Sequence, residues 1–158
     1  MRISEDSAKI LAVAGEIATA KHTTLIRDTL LFAGMVCADT PVKEIIADNT
    51  SNMDALLEAL GITGFESELD RESMKYAADK AFGQIRQDVK RILSYSADVS
   101  RKTKSHGTIC PEHMLFVVLA RKVSNHPEIF NALKEFLDGL SAKGVRVNLD
   151  PANLAMVT

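Results

Sequence analysis

Two histidines stand at similar points in the chain, and imidazole commonly binds metals or transfers protons near neutral pH. His22 and His106 each lie two positions before a threonine, and Glu112 and His113 follow the second of them. A metal site needs three or four convergent ligands, and the spacing of His106, Glu112 and His113 matches no established metal-binding pattern. The sequence therefore predicts no metal site, and we expect His22 and His106 to form hydrogen bonds with loop backbone at helix starts.

Two acids, Asp28 and Glu112, fall in the first turn of predicted helices. A carboxylate at this position interacts favourably with the helix dipole, by about 0.3–1 kcal/mol. An acid at each of these positions is therefore expected on helix grounds alone.

The two cysteines, Cys37 and Cys110, form neither a disulfide framework nor a metal-type pair, which is typical of a protein of the reducing cytoplasm. Cys110 lies just before a predicted helix, a position that can lower a thiol pKa. Because no base is paired with it in the sequence, we expect no catalytic thiol. The chain also lacks a Gly-x4-Gly-Lys-Ser/Thr phosphate loop, a Gly-x-Ser-x-Gly elbow and a His-Glu-x-x-His motif. We therefore predict no catalytic residues, no ATPase activity of the chain itself and no cofactor.

Composition excludes several classes of partner. The chain has 158 residues, 46% of them hydrophobic and 25% charged, with a net charge of −2. This charge provides no basic field for a nucleic acid backbone. No apolar run approaches the roughly 20 residues that span a bilayer, and acids replace the apolar stretch of a signal peptide near the N-terminus. We expect a cytoplasmic protein that binds neither nucleic acid nor membrane.

The apolar pattern is helical almost throughout and predicts an all-α fold. Predicted N-caps are Ser4, Thr40, Asn52, Asp70 and Asn125. Gly61 and Gly144 are expected near helix ends. The predicted helices span about 3–17, 27–37, 52–60, 71–82, 85–104 and 127–142, and two further helices begin at about 41 and 111. The segment 145–149 shows a weak alternation of apolar and polar residues.

The chain contains an internal repeat. When the chain is aligned with itself, Ile3 matches Ile85. After a short insertion the offset changes, and His22 matches His106. Amphipathic helices share stripe spacing by chance, but a joint match of stripe, His-x-Thr break and following Leu-Phe helix is a stronger signal. Matched pairs are Asp6/Asp88, Ile10/Ile92, Leu11/Leu93, Thr24/Thr108, Leu25/Ile109, Leu31/Leu115 and Phe32/Phe116.

The segment from His106 to Leu115, HGTICPEHML, resembles the Clp N-terminal repeat, in which a His-containing break and an aliphatic residue precede a Thr/Pro-Glu-His-Leu-Leu helix start. The segment from His22 to Leu31 is similar to a degenerate first copy, with Asp28 and Thr29 in place of the Glu and the His. Arg86 stands where the family has Ser or Thr. The resemblance covers about residues 3–143.

This resemblance implies two pseudo-symmetric four-helix repeats packed together, joined by an extra helix. The expected divisions are 1–61 for the first repeat, 62–84 for the linker with its extra helix, 85–144 for the second repeat and 145–158 for a tail or linker.

The resemblance also implies a function without catalysis. Such a domain receives protein substrates or adaptor proteins for a Clp-type AAA+ unfoldase ring, which lies in the same chain or in another one. The implied peptide- or adaptor-binding residues are Asp28, Glu112, His113 and Ser4. One alternative is a free-standing Clp-N-like regulator or adaptor without an ATPase. Another, less favoured by the residues, is a helical domain that binds a small ligand or is an enzyme.

Overall fold

A computed structural model describes residues 2–103, 107–120 and 131–147 of the chain. The predicted all-α class is confirmed, because eight helices account for most of these residues. The helices are α1 Glu5–Ala20, α2 Asp28–Cys37, α3 Pro41–Asp48, α4 Met53–Leu60, α5 Arg71–Phe82, α6 Gln87–Arg101, α7 Pro111–Ala120 and α8 Asn131–Ala142. None of these helices is long and apolar enough to cross a membrane.

Local signals place most helix starts correctly. The Ser4 hydroxyl accepts the Ser7 N–H, the Asn52 side chain accepts the Ala55 N–H, and Asp70 forms a capping box with Ser73. Thr40 occupies the predicted N-cap of α3, but its buried hydroxyl has no hydrogen-bond partner in the part of the chain that the structure describes. The predicted cap at Asn125 and the start of its helix lie outside the described residues.

Two strands, each only two residues long, escaped the sequence analysis because so short a segment has no recognisable pattern. Strand β1, Arg2–Ile3, pairs in parallel with β2, Thr108–Ile109. Ile26 and Ile85 form a second parallel bridge. Each contact joins the residues before one helix to the residues before a helix far away in the chain. In the segment 145–149, Val147 forms an isolated bridge with Thr50.

These two contacts have matching hydrogen bonds. The Ser4 N–H donates to the Ile109 carbonyl at 2.9 Å, and the Arg86 N–H donates to the Ile26 carbonyl at 2.9 Å. Each donor is the N-cap of the helix that follows it, and the two donors coincide in the alignment that places Ile3 on Ile85. The acceptors are equivalent too, because each lies two positions before the first residue of α2 or α7.

The ends of α4 and α8 also match. Gly61 and Gly144 both have a left-handed backbone, with φ of 69° and 86°, which glycine adopts without a steric penalty. After them, the Ile62 N–H donates to the Leu57 carbonyl at 3.0 Å, and the Val145 N–H donates to the Leu140 carbonyl at 2.9 Å.

The hydrogen bonds correct the alignment of the later segments. They make Ile26 equivalent to Ile109, whereas the sequence match paired Leu25 with Ile109. The glycine ends of α4 and α8 have the same offset along the chain as Ile26 and Ile109. The structural equivalence therefore lies one position away from the match of His22 with His106.

The core forms around α1, whose middle is fully buried. Gly34 of α2 makes the closest approach: a Cβ placed there would lie 2.7 Å from the Ile10 carbonyl oxygen and 3.0 Å from the Ala14 Cβ. The absent side chain lets α2 lie directly on the backbone of α1. The largest fully buried side chains are Phe32, Ile10, Leu11, Ile17, Ile26, Leu31, Met35, Ile46, Leu56, Ile92 and Leu93.

Candidate functional site

The structure places the predicted site residues at two junctions of helix starts. The Ser4 junction comprises Ser4, Ser7, Ile109, Glu112 and His113, where α1 begins beside α7. The Ser4 hydroxyl lies 3.1 Å from the Ser7 hydroxyl, which donates to the Ile109 carbonyl at 2.8 Å. Because the Ile109 carbonyl also accepts the Ser4 N–H, serine side chains and backbone together bind α1 to the start of α7.

His113 belongs to the interior of this junction. Its side chain is fully buried, and its Nδ1 accepts the Cys110 N–H at 2.9 Å. The proton of the neutral ring therefore sits on Nε2, which lies 3.1 Å from the Thr103 hydroxyl. Burial lowers the pKa of His113, which keeps the ring neutral. His113 thus orders the start of α7, and in this structure it has no surface through which to contact a partner.

Glu112 is the accessible acid of the Ser4 junction. It lies in the first turn of α7 and is half-buried. Glu5, the exposed first residue of α1, follows Ser4 directly. The junction therefore carries acids at the N-terminal ends of both helices, a placement that the helix dipoles favour.

The Asp28 junction comprises Ile26, Asp28, Arg86, Asp88 and Leu133, where α2 begins beside α6. Asp28 is fully buried, and its carboxylate accepts the Leu133 N–H of α8 at 3.1 Å. Its own N–H donates to Asp88 Oδ2 at 3.1 Å. Burial and the neighbouring Asp88 carboxylate raise the pKa of Asp28 above its ordinary value, although the Leu133 N–H acts in the opposite direction.

The structure moves Asp28 relative to the sequence alignment. The match of His22 with His106 also pairs Asp28 with Glu112, but the structure matches Asp28 with Pro111, the first residue of α7. Packing of α8 on Asp28 removes its carboxylate from the surface. Of the four predicted binding residues, Ser4 and Glu112 therefore remain partly accessible, whereas Asp28 and His113 are interior.

A groove runs from the Ser4 junction between α1 and α5. This α1–α5 groove has a volume of about 1040 Å³. Ser4 and Glu5 line it, and Val13, Met74 and Phe82 contribute apolar surface. Charges of both signs surround that surface, including Lys9, Lys43, Lys75, Asp39 and Asp79. Such a mixture suits a peptide, which carries both apolar and charged side chains, better than a polyanion.

The structure also reveals polar residues that sequence reasoning passed over. Ser7 and Asp88 hold the two junctions, yet neither stood out as a functional residue. The available signal at Ser7 was a hydroxyl within an otherwise apolar helical stripe. Asp88 is matched with Asp6 in the repeat, but its contact with Asp28 depends on the tertiary fold.

The remaining candidates for chemistry stay apart. In the segments that the structure describes, no three His, Cys, Asp or Glu side chains group in a way that could hold a metal ion. Cys37 is not part of a disulfide, and burial raises the pKa of its thiol. His22 is exposed in a left-handed conformation with φ of 56°, and His106 lies outside the described residues.

Comparison of the chain with protein-family models, with curated proteins and with solved structures found no match in any of the three.

Proposed function

We propose that this chain is a protein-binding domain of the Clp N-terminal type, which receives protein substrates or adaptors for an AAA+ unfoldase. The observation that carries the proposal is the pair of matched hydrogen bonds, from Ser4 to Ile109 and from Arg86 to Ile26. In each bond the start of one repeat's first helix contacts the start of the other repeat's second helix. Two four-helix repeats packed in this reciprocal way, with α5 as the extra linking helix, would account for both bonds.

The proposed binding surface is the Ser4 junction together with the adjoining end of the α1–α5 groove. Glu5 and Glu112 supply negative charge there, and the groove supplies apolar contacts. A segment of unfolded protein with a basic side chain beside apolar ones has the complementary chemistry. His113 and Asp28 would act by holding the helix starts in place and not by touching the partner.

The test is a titration of a fluorescently labelled, permanently unfolded protein with the purified chain, followed by anisotropy. An exposed charge pair contributes up to about 1 kcal/mol, or about fivefold in Kd. We therefore expect Glu5→Gln with Glu112→Gln to weaken binding by about five- to twentyfold if the two effects add.

The matched control is Glu58→Gln, which removes an exposed acid of α4 that lines neither the junction nor the groove. It should leave the Kd unchanged. Absence of binding by the wild-type chain would reject the proposed function, and equal binding by all variants would reject the proposed surface.

A further inference from the structure

Helix α5 is attached to the rest of the fold by little apolar surface. Along its whole length, only Ala78 and Ala81 are buried. The shorter α4 buries Leu56 and Leu60, whose side chains remove much more apolar area from water. Helix α5 therefore gains less from hydrophobic burial than its length would allow.

Helix α5 runs close along α1, but the side chains that meet between the two helices are small. A Cβ placed on Gly15 of α1 would lie 3.3 Å from the Ala81 Cβ, so small residues meet where the helices touch. Open grooves of about 1040 and 530 Å³ lie against α5, and each is lined by residues of both helices. Val13 of α1 lines the larger groove and Ala12 lines the smaller one. Because Ala12 and Val13 are neighbours in α1, helix α5 lies between the two grooves.

A single carboxylate ties the preceding segment to α1. Glu16 Oε1 accepts the Ser67 hydroxyl at 2.7 Å, and Glu16 Oε2 accepts the Glu68 N–H at 2.8 Å. Both bonds are exposed to solvent, where water competes for the same groups. These bonds hold the segment that leads into α5.

The two ends of this region are fixed more firmly. Ile62 is buried after the end of α4, and Ile85 bridges to the fully buried Ile26. Phe82, the last residue of α5, packs against the core, and so does the half-buried Phe65 before α5. The residues between these ends can leave α1 without breaking either junction.

We infer that residues 66–81, which we name the strap, open from α1 as one unit while the remaining helices stay folded. Opening joins the two grooves and uncovers the α1 surface around Ala12 and Val13, each of which is 1% exposed in the closed form. The strap thereby controls access to an apolar face of α1. This inference does not rest on the proposed function.

Native-state hydrogen exchange of the full chain tests the inference. Amides of α5 should exchange with one common opening equilibrium, at least about tenfold more often than amides in the middle of α1. Glu16→Gln removes the charge and one acceptor oxygen, and should raise exchange of the strap about two- to tenfold. Glu58→Gln, which alters an exposed acid of α4, should leave strap exchange unchanged. Equal protection of α5 and α1, or a Glu16→Gln effect spread over all helices, would overturn the inference.

A disulfide provides an independent test by closing the strap. Gly15→Cys with Ala81→Cys places the two Cβ atoms 3.3 Å apart, so moving them apart by a few tenths of an ångström reaches the range of about 3.5–4.5 Å found in disulfides. The variant also carries Cys37→Ala and Cys110→Ala to prevent other pairings. Oxidation should slow α5 exchange to the rate of α1, and reduction should restore the fast exchange. Unchanged α5 exchange in a quantitatively oxidised sample would show that the strap does not open in this way.

Discussion

Asp28 connects α2 to α6 and α8, but its buried surroundings disfavour the charged form of its carboxyl group. Its backbone and side chain together contact α6 and α8 through Asp88 and Leu133. The carboxylate is fully buried and lies beside a second carboxylate, so its ionisation in the folded protein costs free energy. The folded-state pKa is raised above the ordinary value of 3.8.

Asp28→Asn tests this description through the pH dependence of stability. A raised folded pKa means that the carboxyl stabilises the fold most below pH 3.8, and that this contribution is lost as pH rises through the folded pKa. Asparagine does not titrate. The free energy of unfolding of the wild type minus that of Asp28→Asn should therefore fall as pH increases from about 3 to about 7 in urea titrations. A difference that is constant or that rises with pH would contradict the assignment.

Residues close together in the chain determine where the individual helices begin and end. The close crossing of α1 and α2 depends instead on the missing side chain of Gly34. Ser4, Asn52 and Gly61 act as the sequence predicts, because caps and left-handed helix ends depend on neighbours within a few positions. The close contact of α1 and α2 at Gly34 depends on residues far apart in the chain. A glycine inside a helix usually lowers the stability of the helix. The close approach of α1 explains why position 34 nevertheless has a glycine.

Gly34→Ala tests that explanation at the level of the helix pair. Alanine favours helix formation by about 1 kcal/mol over glycine. Its Cβ, however, would meet the Ile10 carbonyl oxygen at 2.7 Å. We expect a net loss of about 1–3 kcal/mol in the free energy of unfolding.

The control is Gly139→Ala in α8, where an added Cβ would find nothing within 4 Å. This variant should gain up to about 1 kcal/mol in the same urea titration. If both substitutions changed stability in the same direction, steric contact at Gly34 would not be the cause.

The sequence did not predict features that depend on contacts between residues far apart in the chain. Leu25 and Ile26 are adjacent apolar residues, so the sequence permits either in the repeat alignment. The structure buries Ile26 fully and leaves Leu25 40% exposed, which moves the alignment by one position. That shift separates Asp28 from Glu112, although both were correctly placed in first turns. The burial of Asp28 follows from α8 packing on it, which no local pattern encodes.

At the scale of the whole molecule, two reciprocal contacts join helix starts that lie far apart in the chain. The Ser4 junction and the Asp28 junction use the same backbone hydrogen bond but different side chains. Ser7 supplies a hydroxyl at the first, whereas Val89 occupies the matching position of α6 at the second. The second junction instead contains the Asp28 and Asp88 carboxylates. The same backbone arrangement therefore has two chemical environments, and the exposed acid Glu5 lies beside the Ser4 junction.

Amide exchange at Ser4 and Arg86, followed by NMR, tests the reciprocal arrangement most directly. Both are N-cap residues, whose N–H groups have no partner within their own helix, so protection must come from Ile109 and Ile26. Both amides should be strongly protected in the folded protein, and their protection should be lost together on global unfolding. The N-cap amide of Asn52, which donates to no group among the described residues, should exchange rapidly. Rapid exchange at either Ser4 or Arg86 in the folded protein would contradict the two-repeat arrangement and the function proposed from it.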